Sequence, residues 1–123
     1  MTKKIVFMGT PEFSVPTLES LLNSDHKISA VYSQPASKAN RGQKVIPSKI
    51  EIFAKENSLN LRTPTSLDND EEFNFLKKLK PDIVIVVAYG KIIPKRFLGL
   101  SKNGFINIHA SLLPKWRGAA PIQ

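Results

Sequence analysis

The chain has 123 residues, enough for one domain with a hydrophobic core but too few for a large two-domain enzyme. Hydrophobic residues make up 41% and charged residues 23%, which excludes a disordered or fibrous chain, and no apolar run approaches the roughly 20 residues that span a bilayer. The absence of cysteine excludes a disulfide framework and a thiolate nucleophile, and the formal net charge of +8 favours an anionic partner.

The first part of the chain alternates between strand and helix patterns. The apolar run at residues 5–8 predicts a buried strand that ends at Gly-Thr-Pro, and the 3- and 4-residue spacing of Val15, Leu18 and Leu22 predicts a helix. Residues 28–32 predict a second strand. Residues 33–47 contain two prolines, a glycine and three basic residues, which predicts an exposed loop.

The alternation continues after this loop. Ser48 is typical of a helix N-cap, and acidic residues at the start and lysines at the end of a later segment match the helix dipole. The predicted elements are a helix at 48–57, a short strand at 60–63, a helix at 68–80, a strand at 82–88, a short helical piece at 94–98, a strand at 105–110 and the start of a helix at 119–123.

This order of elements predicts an α/β fold. The β-branched run at residues 82–88 is typical of a strand that is covered on both faces of a parallel sheet. We therefore expect an open, mostly parallel doubly wound sheet, Rossmann-like and incomplete at its C-terminus, because the last predicted unit stops after the start of its helix.

Asn107 and His109 are the strongest candidates for chemistry. Alternation along a strand places both side chains on one face, near the carboxyl end where open α/β sheets bind ligands. An amide donor beside an imidazole suits acyl or formyl transfer, since the amide can bind a developing oxyanion and the imidazole can move a proton. A hydrogen-bonded core asparagine and a structural histidine remain the plainer alternative.

Three other features limit the possible functions. The first predicted strand-to-helix turn, Gly-Thr-Pro-Glu, lacks the glycine motifs of NAD and ATP sites, which argues against those ligands. The loop with Lys38, Arg41 and Lys44 is either a contact for a phosphate backbone or an ordinary solvated loop. His26 is predicted to be a solvated loop residue. After Asp82 there are six basic residues and no carboxylate.

Four blocks of sequence together resemble the methionyl-tRNA formyltransferases, within the superfamily of 10-formyltetrahydrofolate-dependent formyltransferases. They are IVFMGTPEFSVPTLESLL, QPASKANRGQKVIPSKI, KPDIVIVVAYGKIIP and INIHASLLPKWRGAAPIQ, and they are spread along the chain from residue 5 to residue 123. The Asn-x-His-x-Ser-Leu-Leu-Pro signature is similar to that of the superfamily as a whole. The residues that follow the proline resemble the methionyl-tRNA branch.

The resemblance assigns roles to individual residues. It implies that Asn107 and His109 belong to a catalytic trio. It implies a folate site formed by Ser111, Leu112, Leu113 and Pro114, with the turn at Ala88, Tyr89 and Gly90 against the pterin ring. It also implies that Arg41, Gly42 and Lys44 contact the tRNA acceptor end, although Asn40 and Gln43 depart from the usual residues and put tRNA affinity in doubt.

The resemblance also sets expectations for the whole protein. It implies formyl transfer from 10-formyltetrahydrofolate to methionyl-tRNA for translation initiation, without a metal, in a monomeric enzyme. The N-terminus lacks the pattern of a signal peptide and no apolar run could span a bilayer, so we expect a cytoplasmic location without membrane contact. The resemblance also implies a third catalytic residue, an aspartate, and a C-terminal tRNA-binding barrel, neither of which is among residues 1–123. We therefore expect residues 1–123 to be the N-terminal portion of a catalytic domain, with little or no activity alone.

Three alternatives stay open at this point. The chain could be a non-catalytic module that binds folate or tRNA, which the lack of a late carboxylate favours. It could belong to a nucleotide-binding oxidoreductase, against which the first turn argues. It could also come from a formyltransferase that acts on another amine, such as a sugar amine or a small ribonucleotide.

Overall fold

A five-stranded parallel sheet forms the centre of the computed structural model, which describes residues 2–38 and 44–109. In chain order the elements are β1 Lys4–Gly9, α1 Val15–Leu22, β2 Lys27–Tyr32, β3 Ser37–Lys38, β4 Val45–Ile46, α2 Lys49–Glu56, β5 Leu61–Arg62, α3 Asp70–Leu79, β6 Ile83–Val87 and β7 Phe105–Asn107. Two 3₁₀ helices, Glu12–Ser14 and Lys95–Leu100, complete the set.

The strands of the sheet lie in the order β5-β2-β1-β6-β7, and each neighbouring pair is parallel. The chain builds outward from β1 to β2 and β5, and then returns to place β6 on the other side of β1. The direction of winding therefore reverses between β1 and β6, which is where open α/β sheets form a ligand crevice at their carboxyl ends.

Hydrophobic residues cover both faces of the sheet. On one face Phe7 and Val31 pack with Leu18 of α1 and with Ile50 and Ala54 of α2. The opposite face has its own cluster, in which Val6, Met8, Tyr32 and Val84 pack with Leu76 of α3 and Phe97. Because helices flank both faces, the prediction of a doubly wound parallel sheet is confirmed.

Local signals account for the helix starts. Ser48 accepts a hydrogen bond from the Glu51 amide at 2.9 Å and caps α2, as predicted. Asn69 accepts from the Glu72 amide at 2.8 Å, so α3 begins at Asp70 instead of residue 68. In this role the asparagine side chain gives a hydrogen-bond partner to an amide of the first helical turn that has none within the helix.

Several predicted bounds differ from the structure. The loop at residues 33–47 contains the antiparallel pair β3 and β4, which the sequence did not indicate. β7 ends at Asn107, three residues before the predicted end at residue 110. The predicted helix start at 119–123 lies outside the described residues.

Candidate active site at the carboxyl edge of the sheet

The ends of β1 and β6 approach each other closely at the reversal of winding. A Cβ on Gly9 would lie 2.8 Å from Cε2 of Phe7 and 2.9 Å from the Val87 carbonyl oxygen, so only glycine fits here. The buried Ser14 hydroxyl donates to the same Val87 carbonyl at 2.8 Å. The residues that follow β1 therefore pack directly against the end of β6.

A left-handed turn follows β6. Ala88 has φ of +53° and Gly90 has φ of +83°, and Tyr89 lies between them. The Tyr89 carbonyl accepts hydrogen bonds from the Thr10 hydroxyl at 2.7 Å and from Gln34 Nε2 at 3.1 Å. Ala88 and Gly90 are exposed, so this turn presents backbone at the carboxyl edge while its central side chain is buried.

The Tyr89 ring packs edge-on against Tyr32, with ring centres 6.5 Å apart and planes at 78°. Burial raises the pKa of both phenols, and the nearby Glu72 carboxylate raises both further. The turn after β6 is therefore anchored by a neutral aromatic pair within the core.

Glu72 is itself held by a charged partner. Arg62 Nε donates to Glu72 Oε1 at 2.9 Å and Nη2 donates to Oε2 at 3.0 Å, and the guanidinium lies 3.8 Å from the centre of the Phe75 ring. The hydrogen bond to Glu72 raises the pKa of the Arg62 guanidinium above its ordinary value. This paired geometry compensates for placing the Glu72 carboxylate, 7% exposed, beside the core.

A cleft of about 420 Å³ opens beside the turn, a size typical of small-molecule sites. Its walls are Thr65, Ser66 and Asp68 on the α3 side, and Gly90, Lys91, Ile92 and Pro94 on the β6 side. The Ile92 side chain is 87% exposed, which places an apolar group in solvent at the rim. The cleft thus combines hydroxyls, a carboxylate, an amine and apolar surface.

Asn107 lies on the strand next to this turn. It pairs in register with Val86 of β6, and the Ile108 amide donates to the Val86 carbonyl at 2.8 Å, so the ladder continues past the end of β7. Asn107 and His109 are both exposed at the carboxyl edge. The structure therefore brings two sequence candidates, Asn107 and His109, to the same edge as the turn at 88–90.

The basic loop is only partly described. Lys38 in β3 and Lys44 before β4 are exposed, and the hydrophobic side chains of Val45 and Ile46 are 62% and 41% exposed. Other candidates lie outside the described residues, namely Arg41, Gly42, Ser111, Leu112, Leu113 and Pro114.

His26 departs from its prediction as a solvated residue. It is half-buried, and its Nδ1 accepts a hydrogen bond from the Lys3 amide at 3.0 Å. This histidine joins the start of β1 to the turn before β2, at the amino edge of the sheet. It is therefore structural and remote from Asn107 and His109.

Sequence reasoning missed Thr10, Gln34 and the Thr65–Asp68 wall of the cleft. The contacts of Thr10 and Gln34 with residue 89 depend on the order of the strands, which no local sequence pattern indicates. No group of three or more His, Asp or Glu side chains within residues 2–38 and 44–109 is arranged to hold a metal ion. None of the helices in those ranges is long and apolar enough to cross a bilayer.

Residues 3–123 match the family described as formyl transferase, Formyl_trans_N. The chain belongs to the formyl transferase family. This membership confirms the resemblance seen in the sequence, since the match covers every motif on which that resemblance was based.

Curated members of the family resemble the chain along its full length. A methionyl-tRNA formyltransferase of Pelagibacter ubique is 62% identical over 124 residues, which cover 100% of this chain and 40% of that protein. A methionyl-tRNA formyltransferase of Coxiella burnetii is 48% identical, covering 100% of this chain and 39% of its own length. One of Methylococcus capsulatus is 52% identical over 98% of this chain and 39% of its own length. The chain therefore spans about two fifths of the relatives it matches.

The fold is shared with a more distant formyl transferase. The crystal structure of phosphoribosylglycinamide formyltransferase from Anaplasma phagocytophilum superposes with a TM-score of 0.60 and 16% identity, over 87% of this chain and 49% of that one. At this identity the likeness concerns the fold alone. It agrees with the Rossmann-like sheet described above.

Proposed function

We propose that this chain provides the formyl-donor side of an enzyme that transfers a formyl group from 10-formyltetrahydrofolate to the amino group of methionyl-tRNA. The observation that carries the proposal is the 62% identity, over the whole chain, to a protein named methionyl-tRNA formyltransferase. The alternative acceptor, a small ribonucleotide, has less support, because the relative named for it is only 16% identical.

Asn107 and His109 are the proposed catalytic residues. The amine nitrogen of the acceptor attacks the formyl carbon, a new C–N bond forms, and the formyl oxygen gains negative charge. The Asn107 amide donates a hydrogen bond to that oxygen, and the His109 imidazole stabilises it and delivers a proton to the folate nitrogen as its bond to the formyl carbon breaks. The attacking amine loses its proton to a base, the role proposed for the superfamily's aspartate.

The proposed donor site lies beside these residues. The turn at Ala88, Tyr89 and Gly90 exposes backbone at the same edge, and backbone amides and carbonyls suit the alternating donors and acceptors of a pterin ring. The neighbouring cleft of about 420 Å³ has room for a ring system. Ser111, Leu112, Leu113 and Pro114 are proposed to line the site as well.

The proposed acceptor contacts are Arg41, Gly42 and Lys44. Lys38 and Lys44 are exposed on β3 and before β4, as contacts with a phosphate backbone require. We also propose that residues 1–123 belong to the catalytic domain of a monomeric cytoplasmic enzyme whose product is used in translation initiation, and that the reaction needs no metal.

The first test is calorimetric titration of the chain with 5-formyltetrahydrofolate, a stable formyl folate, and with NAD as the control ligand. Far-UV circular dichroism confirms that the chain is folded. We expect saturable binding of the folate and none of NAD. Binding of NAD in preference to folate would instead support a nucleotide-binding oxidoreductase.

The second test replaces the matching two fifths of the Pelagibacter ubique relative with this chain and measures formyl-methionyl-tRNA formation. We expect Asn107→Ala and His109→Ala each to lower kcat by at least about 100-fold, the usual cost of losing one oxyanion donor. His26→Ala, a change of the other histidine at the opposite edge, is the matched control and should leave kcat unchanged. Equal rates for all three variants would exclude the proposed roles.

A further inference from the structure

Three loops meet at one carbonyl oxygen at the carboxyl edge of the sheet. The loops follow β1, β2 and β6, and they contribute Thr10, Gln34 and Tyr89 respectively. The Tyr89 oxygen accepts from Thr10 Oγ1 at 2.7 Å and from Gln34 Nε2 at 3.1 Å. A carbonyl has two lone pairs, so these two donors fill its capacity.

The hydrogen bonds within this cluster have a defined direction. The Thr10 hydroxyl has one proton, which it donates to the Tyr89 carbonyl. The same hydroxyl oxygen accepts a hydrogen bond from the Gln34 backbone amide at 3.3 Å. Thr10 and Gln34 thus hold each other as well as the carbonyl. Both residues are half-buried, which limits competition from water for these bonds.

The held carbonyl lies at the centre of the left-handed turn. Ala88 at φ +53° and Gly90 at φ +83° flank it, and few residues adopt such backbone angles without support. The Gln34 amide also fills the space beside Gly90, where an added Cβ would collide with Nε2. The cluster therefore determines where the exposed backbone of residues 88 and 90 lies.

We propose that Thr10 and Gln34 are positioning residues that hold the turn at 88–90 in the conformation that binds the formyl donor. This inference rests on the proposed function, which places the pterin ring against that turn. Neither side chain touches the donor. Each acts through the Tyr89 carbonyl, and loss of either donor lets the turn relax from its left-handed conformation.

Paired substitutions at each position test the proposal in the chain itself. Thr10→Val keeps the shape of the side chain and removes its hydroxyl, whereas Thr10→Ser keeps the hydroxyl. Gln34→Glu replaces the amide donor with an acceptor of the same size. We expect Thr10→Val and Gln34→Glu to weaken 5-formyltetrahydrofolate binding by about tenfold, the usual effect of one hydrogen bond, and Thr10→Ser to restore affinity to within about twofold of wild type.

A matched control separates positioning from general stability. Asn57 Nδ2 donates to the Phe53 carbonyl at 2.9 Å at the end of α2, so Asn57→Asp makes the same chemical change as Gln34→Glu away from the turn. We expect Asn57→Asp to leave folate affinity unchanged. If folate affinity falls in proportion to stability in every variant, including Asn57→Asp, the proposal is overturned.

A ligand-free measurement keeps the proposal separate from the proposed function. We expect the backbone NMR chemical shifts of Tyr89 and Gly90 to change in Thr10→Val and Gln34→Glu, with the shifts of the core strands unchanged. If the wild-type chain does not bind the folate, the donor-site assignment fails, and the chemical shifts alone decide whether these residues hold the turn. Unchanged shifts and wild-type folate affinity in both variants would show that Thr10 and Gln34 do not position it.

Discussion

Gly90 occupies a position that restricts both the backbone and the side chain. Its φ of +83° is in the left-handed region, where an L side chain is strained. The Gln34 amide occupies the site of any added Cβ. The positive φ and the nearby Gln34 side chain together explain why the turn after β6 has a glycine at this position. The contact with Gln34 also links the turn to the loop that follows β2.

Substitution of Gly90 should separate these two effects. Gly104→Ala is the matched control, since Gly104 has φ of +87° but no atom within 4 Å of an added Cβ. We expect Gly104→Ala to lower the free energy of unfolding by about 1–2 kcal/mol from backbone strain alone. Gly90→Ala should cost about 1 kcal/mol more, because the displaced Gln34 amide loses its bond to Tyr89.

The measurement is urea denaturation of both variants, followed by circular dichroism. Folate titration of the same samples adds a second comparison, in which only Gly90→Ala should weaken binding. Equal destabilisation and equal folate affinity in the two variants would show that the contact between Gly90 and Gln34 contributes nothing.

At the scale of elements, Asp82 joins two neighbouring strands at the amino edge of the sheet. Its carboxylate accepts a hydrogen bond from the Lys4 amide at 2.7 Å, and its own amide donates to the Lys4 carbonyl at 2.8 Å. The bond from Lys4 lowers the pKa of Asp82 below 3.8, and the charges of Lys3, Lys4 and Lys102 lower it further. The residue before β6 therefore fixes where that strand begins beside β1.

This lowered pKa predicts an effect of acid on stability. A carboxyl whose pKa is lower in the folded state stabilises the fold above its unfolded pKa, near 3.8, and loses that contribution as the pH falls through the lower folded value. We expect Asp82→Asn to reduce stability at pH 6 and to approach wild type as the pH falls below about 4. Thermal unfolding across this range measures both.

The control for this prediction is Asp25→Asn, which changes an exposed aspartate in the turn before β2. As a surface substitution away from Lys4, it should leave stability at pH 6 within about 0.5 kcal/mol of wild type. A difference between Asp82→Asn and wild type that stays constant with pH would mean that the bond to Lys4 does not depend on ionisation of the carboxyl.

At the scale of the whole molecule, the sheet has an open edge in the part of the chain that the structure describes. There β7 pairs with β6, and the Ile106 and Ile108 side chains are 45% and 38% exposed. An edge strand with unpaired backbone groups and exposed apolar side chains is a template for pairing with a second copy of the same chain. The described part of this edge therefore predicts self-association through β7.

Ile106→Lys tests this expectation, since a charged side chain on an edge strand opposes pairing. We expect sedimentation velocity to show dimers of the wild-type chain at high concentration and monomers of the variant. The control is Leu98→Lys, which changes a similarly exposed side chain, 48% accessible, on the 3₁₀ helix Lys95–Leu100. This variant should still form dimers. A wild-type chain that stays monomeric at every concentration would contradict the prediction.

The sequence alone determined the strands of the main sheet, the α-helices and the type of sheet, but not the short pair β3 and β4. Periodicity and capping are local: Ser48 caps α2, the charges of α3 follow the helix dipole, and the β-branched run at residues 82–88 indicates a buried strand. Strand alternation also places Asn107 and His109 on one face of a strand. These inferences need only residues that are close along the chain.

Only the tertiary structure decided how the edge of the sheet is built. The Thr10 and Gln34 contacts with Tyr89 join residues 79 and 55 positions apart, and they exist because β1 lies between β2 and β6. No local pattern indicates such a bond, since it depends on strand order and on the left-handed turn at residues 88–90. The sequence thus shows which residues could do chemistry, and long-range packing shows which other residues contact the turn.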